Sequence, residues 1–534
     1  MFRPYVDPVV KLLRTFVHAW RLWIPLSIAV LLSLQPQSSL ARAPEHVLQS
    51  AIDSLNDARM LADIRTLSSP SFNGRQSGTN DDLQSAQWMA REFLSAGLRL
   101  PLVRNGSLIV PHLTGKDGTS SGAMATLIST PLIGPDPTMR IGPADHLATK
   151  TLGSDYLPIS DSPSVDLQAP IIFVGYGIVD PAHGVDDYAG VDVNNRIVLF
   201  LRGKPEHYPR PVSHADKVRI ARERGAIAYL TATGPILQPY EIRRGVTGNP
   251  SAFYGQLPLN QAIPGAWIST ALAQELFQQS ADAGPDRLRT LQERLNQTSS
   301  SQSVTTDRVA SLQWKTTVEE GMLINVLGML PGTGTETVII GAHRDHFGRP
   351  GGILFPGADD NASGTAIILE VARVLAKLER RPAQTILFVS FSGEERDLLG
   401  SRLYTSQPLV PLKATKAMIN IDHAGVGNGR LTVGVTELEK EVLLAAGKVA
   451  GVHDKLDMYG FFPGGDHVPF KEAGVPTVTV VSGGVHPHFH QPTDTAETIN
   501  PEILKSIARY VLAVVWQLAY TTEAEATVEV EPNP

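Results

Sequence analysis

The chain has 534 residues, enough for two or more domains. With 42% hydrophobic and 19% charged residues it has the composition of a globular protein, and its net charge of −7, with no basic block, argues against a nucleic-acid partner. It contains no cysteine, which excludes disulfides and thiolate metal sites, so any metal would be held by carboxylates and some of its 15 histidines.

Residues 1–43 read as a targeting segment. Arg3, Lys11, Arg14 and Arg21 precede the apolar run Leu22–Leu34, and small residues surround Ser39-Leu40-Ala41. This is the pattern of a secretory signal peptide, which predicts a periplasmic or extracellular protein. The apolar run is shorter than the roughly 20 residues of a spanning helix. Membrane contact is expected only if the segment stays uncleaved as an anchor.

Residues 44–120 read as the N-terminal part of the main domain. A turn-rich loop over 68–82 precedes a helix whose face carries Trp88, Met89, Phe93 and Leu94, with Gly97 as its stop and Pro101 beyond. Residues 121–310 change character. Strand signals over 170–179, 196–203 and 225–232 are separated by Gly, Pro, Asp and Asn clusters. An amphipathic segment over 214–226 lies between the last two. Helical segments over 270–279 and 286–297 follow, then a Ser/Thr-rich linker over 299–307. This predicts a smaller, β-rich inserted domain.

Residues 311–521 alternate strands and helices. Strands are expected over 324–332, 337–345, 385–393, 414–425 and 476–484. Helices are expected over 365–378, 398–406, 437–451 and 501–520. Such alternation predicts a three-layer α/β domain with a mostly parallel central sheet flanked by helices. Residues 522–534 form an acidic, Pro-ended tail expected to be disordered.

The polar clusters of this last domain fall just after the apolar runs, where open α/β sheets place their ligands. In His343-Arg344-Asp345, residues i and i+2 of a strand share a face, so His343 and Asp345 meet while Arg344 points away. Asp345 is placed to orient His343. Asp359-Asp360-Asn361 sits in a Gly-bounded turn before a helix that Ser363 is placed to cap. Glu394-Glu395 ends another strand, and adjacent carboxylates there repel unless a cation compensates. Asp422 ends a fourth strand. His490 lies in a loop with Asp494, and His486 and His488 are nearby, either of which could replace His490 as ligand.

Taken together, GAHRDHFG, GADDNASG, SFSGEERDLLGS, NIDHAG and FHQPTDT resemble the co-catalytic zinc aminopeptidases of peptidase family M28, the secreted bacterial leucyl aminopeptidase type. The segment from Pro170 to Pro205 resembles the protease-associated (PA) domain inserted in many members. The resemblance implies a zinc exopeptidase fold and two Zn²⁺ ions bridged by Asp360, with a cis bond from Asp360 to Asn361. His343 and Asp422 would complete one metal, and Glu395 and His490 the other. Glu394 would be the general base, with Asp345 and Asp494 behind the ligands. The implied substrates are peptides or proteins with a free N-terminus. Arg344 and Phe347 depart from the family pattern and are expected at the pocket rim. Residues 464–483 fit the substrate-side loop, with Asp466 and His467 unassigned. A carboxypeptidase using Arg344 and Arg349, or an inactive receptor on the same scaffold, remain alternatives; a glutaminyl cyclase would lack the insertion.

Overall fold

The structure is a computed structural model that describes residues 43–238, 241–242, 245–258, 260–278 and 286–521. The signal segment up to residue 42 and the acidic tail 522–534 lie outside the described residues. Among the described residues no helix is long and apolar enough to cross a membrane.

The catalytic half is built on one eight-stranded sheet. Its strands are β1 (Ala123–Ile133), β2 (Thr316–Leu330), β3 (Thr337–His343), β4 (Thr385–Phe391), β5 (Thr415–Asp422), β6 (Leu431–Thr436), β7 (Leu456–Tyr459) and β8 (Thr477–Ser482), in the spatial order β7-β6-β8-β5-β3-β4-β2-β1. The central strands β8, β5, β3 and β4 are parallel; β1 and β2 run antiparallel to their neighbours, and β6 is antiparallel to β8 but parallel to β7. The sheet is therefore mixed, with a parallel centre. Every residue of β3 is buried, because the strand is covered on both faces, and its β-branched run TVII suits that position. Helix α1 (Gly364–Leu375) and helix α2 (Pro501–Ala519) pack on this sheet. Both are apolar around most of their circumference. In α2, Leu504, Ile507, Val511, Val514 and Val515 are buried, each contributing about 1.5–3 kcal/mol against exposure. Strands β6 and β7 were not foreseen. Each is short, and Gly434 or Asp457 breaks the apolar run.

A second eight-stranded sheet lies between β1 and β2 in sequence. Its three-strand parallel core, Val165–Phe173, Ile197–Leu201 and Ala228–Ala232, extends in parallel to Gly265–Ile268. The helix His214–Glu223 crosses between two of these strands, as its amphipathic pattern suggests. The expected linker over 299–307 partly becomes strand: Val304–Trp314 pairs antiparallel with Val165–Phe173. Its β-branched residues Val304, Thr305 and Thr306 outweigh the serine-rich signal before them. The chain leaves and re-enters the catalytic sheet at one point, where Ile133 of β1 pairs with Thr316 of β2. The expected boundary near residue 121 thus falls at the start of a strand of the catalytic sheet.

Candidate metal centre

Four parallel strands deliver their carboxyl ends to one side of the sheet, and the histidines and carboxylates gather there. β3 ends on His343, β4 leads to Glu394 and Glu395, and β5 ends on Asp422. Asp360 comes from the turn before α1, and His490 from the loop after β8. The Asp360–Asn361 peptide is cis. Gly357 opens the turn at φ 58°, and a Cβ there would meet the His346 ring at 2.6 Å, so only glycine fits.

The two carboxylate oxygens of Asp360 face two different sets of groups. Oδ1 is 3.3 Å from His343 Nε2, which is 3.4 Å from Asp422 Oδ1. Oδ2 is 3.1 Å from His490 Nε2, which is 3.4 Å from Glu395 Oε2. Two atoms bound tetrahedrally at about 2.0–2.1 Å sit roughly 3.3 Å apart, so each set fits one zinc-sized ion. His343 Nε2 is buried and makes no hydrogen bond, as a ligand awaiting a cation would. His346, missed in the sequence, also reaches this second set. Its Nδ1 stands 2.8 Å from Glu395 Oε1 and 4.0 Å from Asp360 Oδ2, so His346, Asp360 and Glu395 also come close enough together to hold an ion, beside His490.

The supporting contacts refine the expectations. His343 Nδ1 donates to the backbone carbonyl of Asp345 at 3.2 Å, with that residue's carboxylate 3.6 Å away. Asp345 Oδ1 also accepts from the Glu394 backbone N–H at 3.3 Å. Asp494 accepts from the backbone N–H groups of Asp359 and Asp360, at 2.8 and 3.0 Å. It therefore holds the Asp359–Asp360 turn through its backbone. His490 Nδ1 donates to the Ala252 carbonyl of the inserted region at 2.9 Å. Arg75, from the turn-rich N-terminal loop, is fully buried and donates to the carbonyls of Arg344, Pro356 and Gly357, propping the Asp359–Asp360 turn from behind. Sequence reasoning marked this loop only as turns. A lone arginine between glycines gives no sign of the carbonyls it will meet.

Four expectations are corrected. Ser363 does not cap the helix. Its hydroxyl donates to the Asp359 carbonyl and accepts from Ala424 N–H, because the turn before it is already helical. Arg344 is not at a pocket rim. It is buried, pairs with Asp82 at 2.6 Å, and donates to the carbonyls of Ile324 and Ser390. Phe347 is buried too, stacked on Tyr254 of the inserted region and edge-on to His490. His486 and His488 do not take the place of His490. His486 instead faces Asp359 at 2.6 Å.

The electrostatics follow from crowding buried carboxylates. Burial, aided by neighbouring carboxylates, pushes the Glu394 and Glu395 pKa values well above the usual range. Asp466, unassigned in sequence, is fully buried beside this cluster and raised to about 7 by burial. Burial opposes ionisation of Asp360, but His423, His343 and His490 outweigh it and hold its pKa well below the ordinary value. Two residues facing the centre, His423 (φ 44°) and His490 (φ 54°), adopt the left-handed region that histidine seldom occupies, a strain found where a side chain must be aimed.

A sheet with a parallel centre, carrying paired histidine–carboxylate cradles at its strand ends, is the α/β architecture that the sequence led one to expect. The model of peptidase family M28 matches residues 325–515 of the chain. Among curated relatives, a leucine aminopeptidase 1 of Metarhizium robertsii is 29% identical over 221 residues, covering 38% of this chain and 56% of that protein. Aminopeptidase YwaD of Bacillus subtilis is 31% identical over 185 residues, 33% of this chain and 40% of that one. The chain thus spans about half the length of the curated relatives it matches. Among solved structures, an aminopeptidase from Aneurinibacillus sp. strain AM-1 superposes with a TM-score of 0.63 at 22% identity, covering 92% of this chain and 98% of its own. A zinc aminopeptidase from Bacillus subtilis gives 0.58 at 21% identity, covering 88% and 97%. At these identities the likeness speaks for the fold.

Proposed function

We propose that the chain is a two-zinc aminopeptidase that hydrolyses the first peptide bond of substrates with a free N-terminus. The observation that carries this reading is the division of Asp360: one oxygen faces His343 and Asp422, the other His490 and Glu395. Bound zinc would polarise the scissile carbonyl and make a nearby water more acidic. Glu394 has no place in either ligand set and stands beside both. Its raised proton affinity suits a group that takes a proton from water and passes it to the departing amine. The carboxylates of Asp360, Asp422 and Glu395 offset the metal charge, as a buried site requires.

The carboxypeptidase alternative needs a cation free to meet a terminal carboxylate. Arg344 is consumed by Asp82 and three backbone carbonyls, and Arg349 bonds to Asn73. The aminopeptidase reading is therefore favoured. We read the inserted sheet as a protease-associated domain, and the N-terminal segment as an export signal that puts the enzyme in the periplasm or outside the cell.

Aminoacyl-nitroanilide substrates, free and N-acetylated, test the reaction. Cleavage of the free form alone is expected; equal cleavage of the blocked form contradicts it. Glu394→Gln should keep its zinc and lose turnover by roughly 10²–10⁴-fold, the range for a general base. Retention of more than a tenth of wild-type turnover would remove Glu394 from that role.

A further inference from the structure

A third cluster lies beside the pair and is not used by the mechanism. Asp359, His423 and His486 bring one carboxylate oxygen and two imidazole nitrogens within 4.8 Å of one another. His486 Nδ1 is 2.6 Å, and His423 Nδ1 3.4 Å, from the same oxygen, Asp359 Oδ2. The second nitrogen of each ring is what gives the cluster meaning. His486 Nε2 faces the Ser482 carbonyl at 3.1 Å. A carbonyl only accepts, so that nitrogen carries the hydrogen. His423 Nε2 points toward the carboxylates of Asp360 and Asp422, at 3.7 and 4.0 Å, beyond hydrogen-bond distance. His486 thus turns a hydrogen-bearing nitrogen outward to an acceptor, and both rings aim Nδ1 at one carboxylate oxygen. Metal-bound histidines are held in this way, by a carbonyl on one side or a carboxylate on the other. Between the inward His486 nitrogen and the carboxylate a positive charge, a proton or a metal ion, must sit.

We propose that Asp359, His423 and His486 form a third metal site for a zinc-like divalent ion, distinct from the bridged pair. The donor set, two imidazoles and one carboxylate, suits zinc and its neighbours rather than calcium or magnesium. Opening the 2.6 Å contact by roughly 0.7 Å, through rotation of the His486 side chain, gives the spacing of about 3.3 Å expected for two tetrahedral ligands at about 2.0–2.1 Å. The cluster shares the lining of one narrow gap with Val426, His488 and Phe489. Each member neighbours a proposed ligand of the pair: Asp359 adjoins Asp360, His423 adjoins Asp422, and His486 lies four residues before His490. An ion here would clip together the three segments that carry those ligands.

The inference goes beyond the two-zinc reading, and metal counting separates them. The full chain is saturated with Zn(II), freed of excess by gel filtration, and its bound zinc counted by native mass spectrometry. Three equivalents are expected for the wild type and two for His486→Gln. His423→Asn is a second variant should the first fail to fold, with melting curves to confirm folding. Glu395→Gln reports on the pair and should lose an equivalent independently. Two equivalents in the wild type, or three retained in a folded His486→Gln protein, would overturn the third site. It would mean that protons alone bridge the cluster. A Glu395→Gln protein that keeps three equivalents would instead count against the pair and leave the third site standing.

Discussion

At the scale of single residues, Arg344 shows how a charge can sit beside a catalytic centre without acting in it. Alternation along β3 turns it to the face opposite His343, and there it meets Asp82, fully buried, at 2.6 Å. Ser392 also donates to Asp82, at 2.7 Å. Burial raises the Asp82 pKa to about 6 even though Arg344 opposes the shift. Removing one partner leaves the other charge buried and uncompensated. Arg344→Met is therefore expected to cost about 3–5 kcal/mol in chemical denaturation. Adding Asp82→Asn should recover a large part of that loss, since the unpaired carboxylate goes with it. If the double variant is no more stable than the single, the arginine acts through its bonds to the Ile324 and Ser390 carbonyls and not through the ion pair. The period-two pattern gave the side Arg344 faces. It could not give Asp82, because a partner 262 residues away leaves no local trace.

At the scale of elements, the segment from Pro250 to Tyr254 joins the two sheets. The Ala252 carbonyl takes the His490 Nδ1 hydrogen, and the Ala252 N–H donates back to the His490 carbonyl at 3.1 Å. Gln491 donates to Ser251 and Pro250. Tyr254 stacks on Phe347 and accepts from Gln76. The inserted region thus fixes the tautomer and direction of a proposed ligand. Losing such an outer contact typically costs 10–100-fold in metal affinity. Tyr254→Ala, which removes the stack that seats this segment, is expected to weaken the more loosely held zinc by roughly tenfold or more in calorimetric titration. Unchanged affinity would mean that the His490 loop holds itself. The strand ends bearing His343, Glu394, Glu395 and Asp422 were legible because an apolar β-branched run ending in polar residues signals them. Ala252 was not, since its contribution is a backbone carbonyl and its side chain carries no chemistry. His346 escaped notice for a different reason. It lies three residues past His343, the last residue of β3, where alternation no longer says which way a side chain points.

At the scale of the whole molecule, two apolar cores stabilise the two sheets. The larger, under the catalytic sheet, includes α1 and α2; the inserted sheet has its own, around Phe173, Leu199 and Leu230. The alternation of helix and strand gave the first half, and the change to strand signals gave the second. What joins them, the adjacent exit and entry at Ile133 and Thr316, is a matter of register that composition does not encode. Between these well-packed cores the metal centre is the costly region. Asp345, Asp359, Asp360, Glu394, Glu395 and Asp494 are buried or nearly so within one cluster of strand ends and turns, and without a cation they repel one another. Asp494 is driven to about 8, by burial first and by Asp359 next. Bound zinc should therefore contribute a large share of the stability of the catalytic half. By mass action, an ion present at a hundredfold its Kd adds about 2.7 kcal/mol, roughly 5–10 °C for a domain of this size. Chelation should lower the catalytic half's melting transition by that order. The inserted sheet binds no proposed metal, so a separate transition from it should stay in place. His490→Gln, which keeps the loop but removes one ligand, should melt lower than the wild type in zinc and respond less to chelator. A wild-type melt that is insensitive to chelator would mean that protons, not metal ions, neutralise these carboxylates in the folded chain.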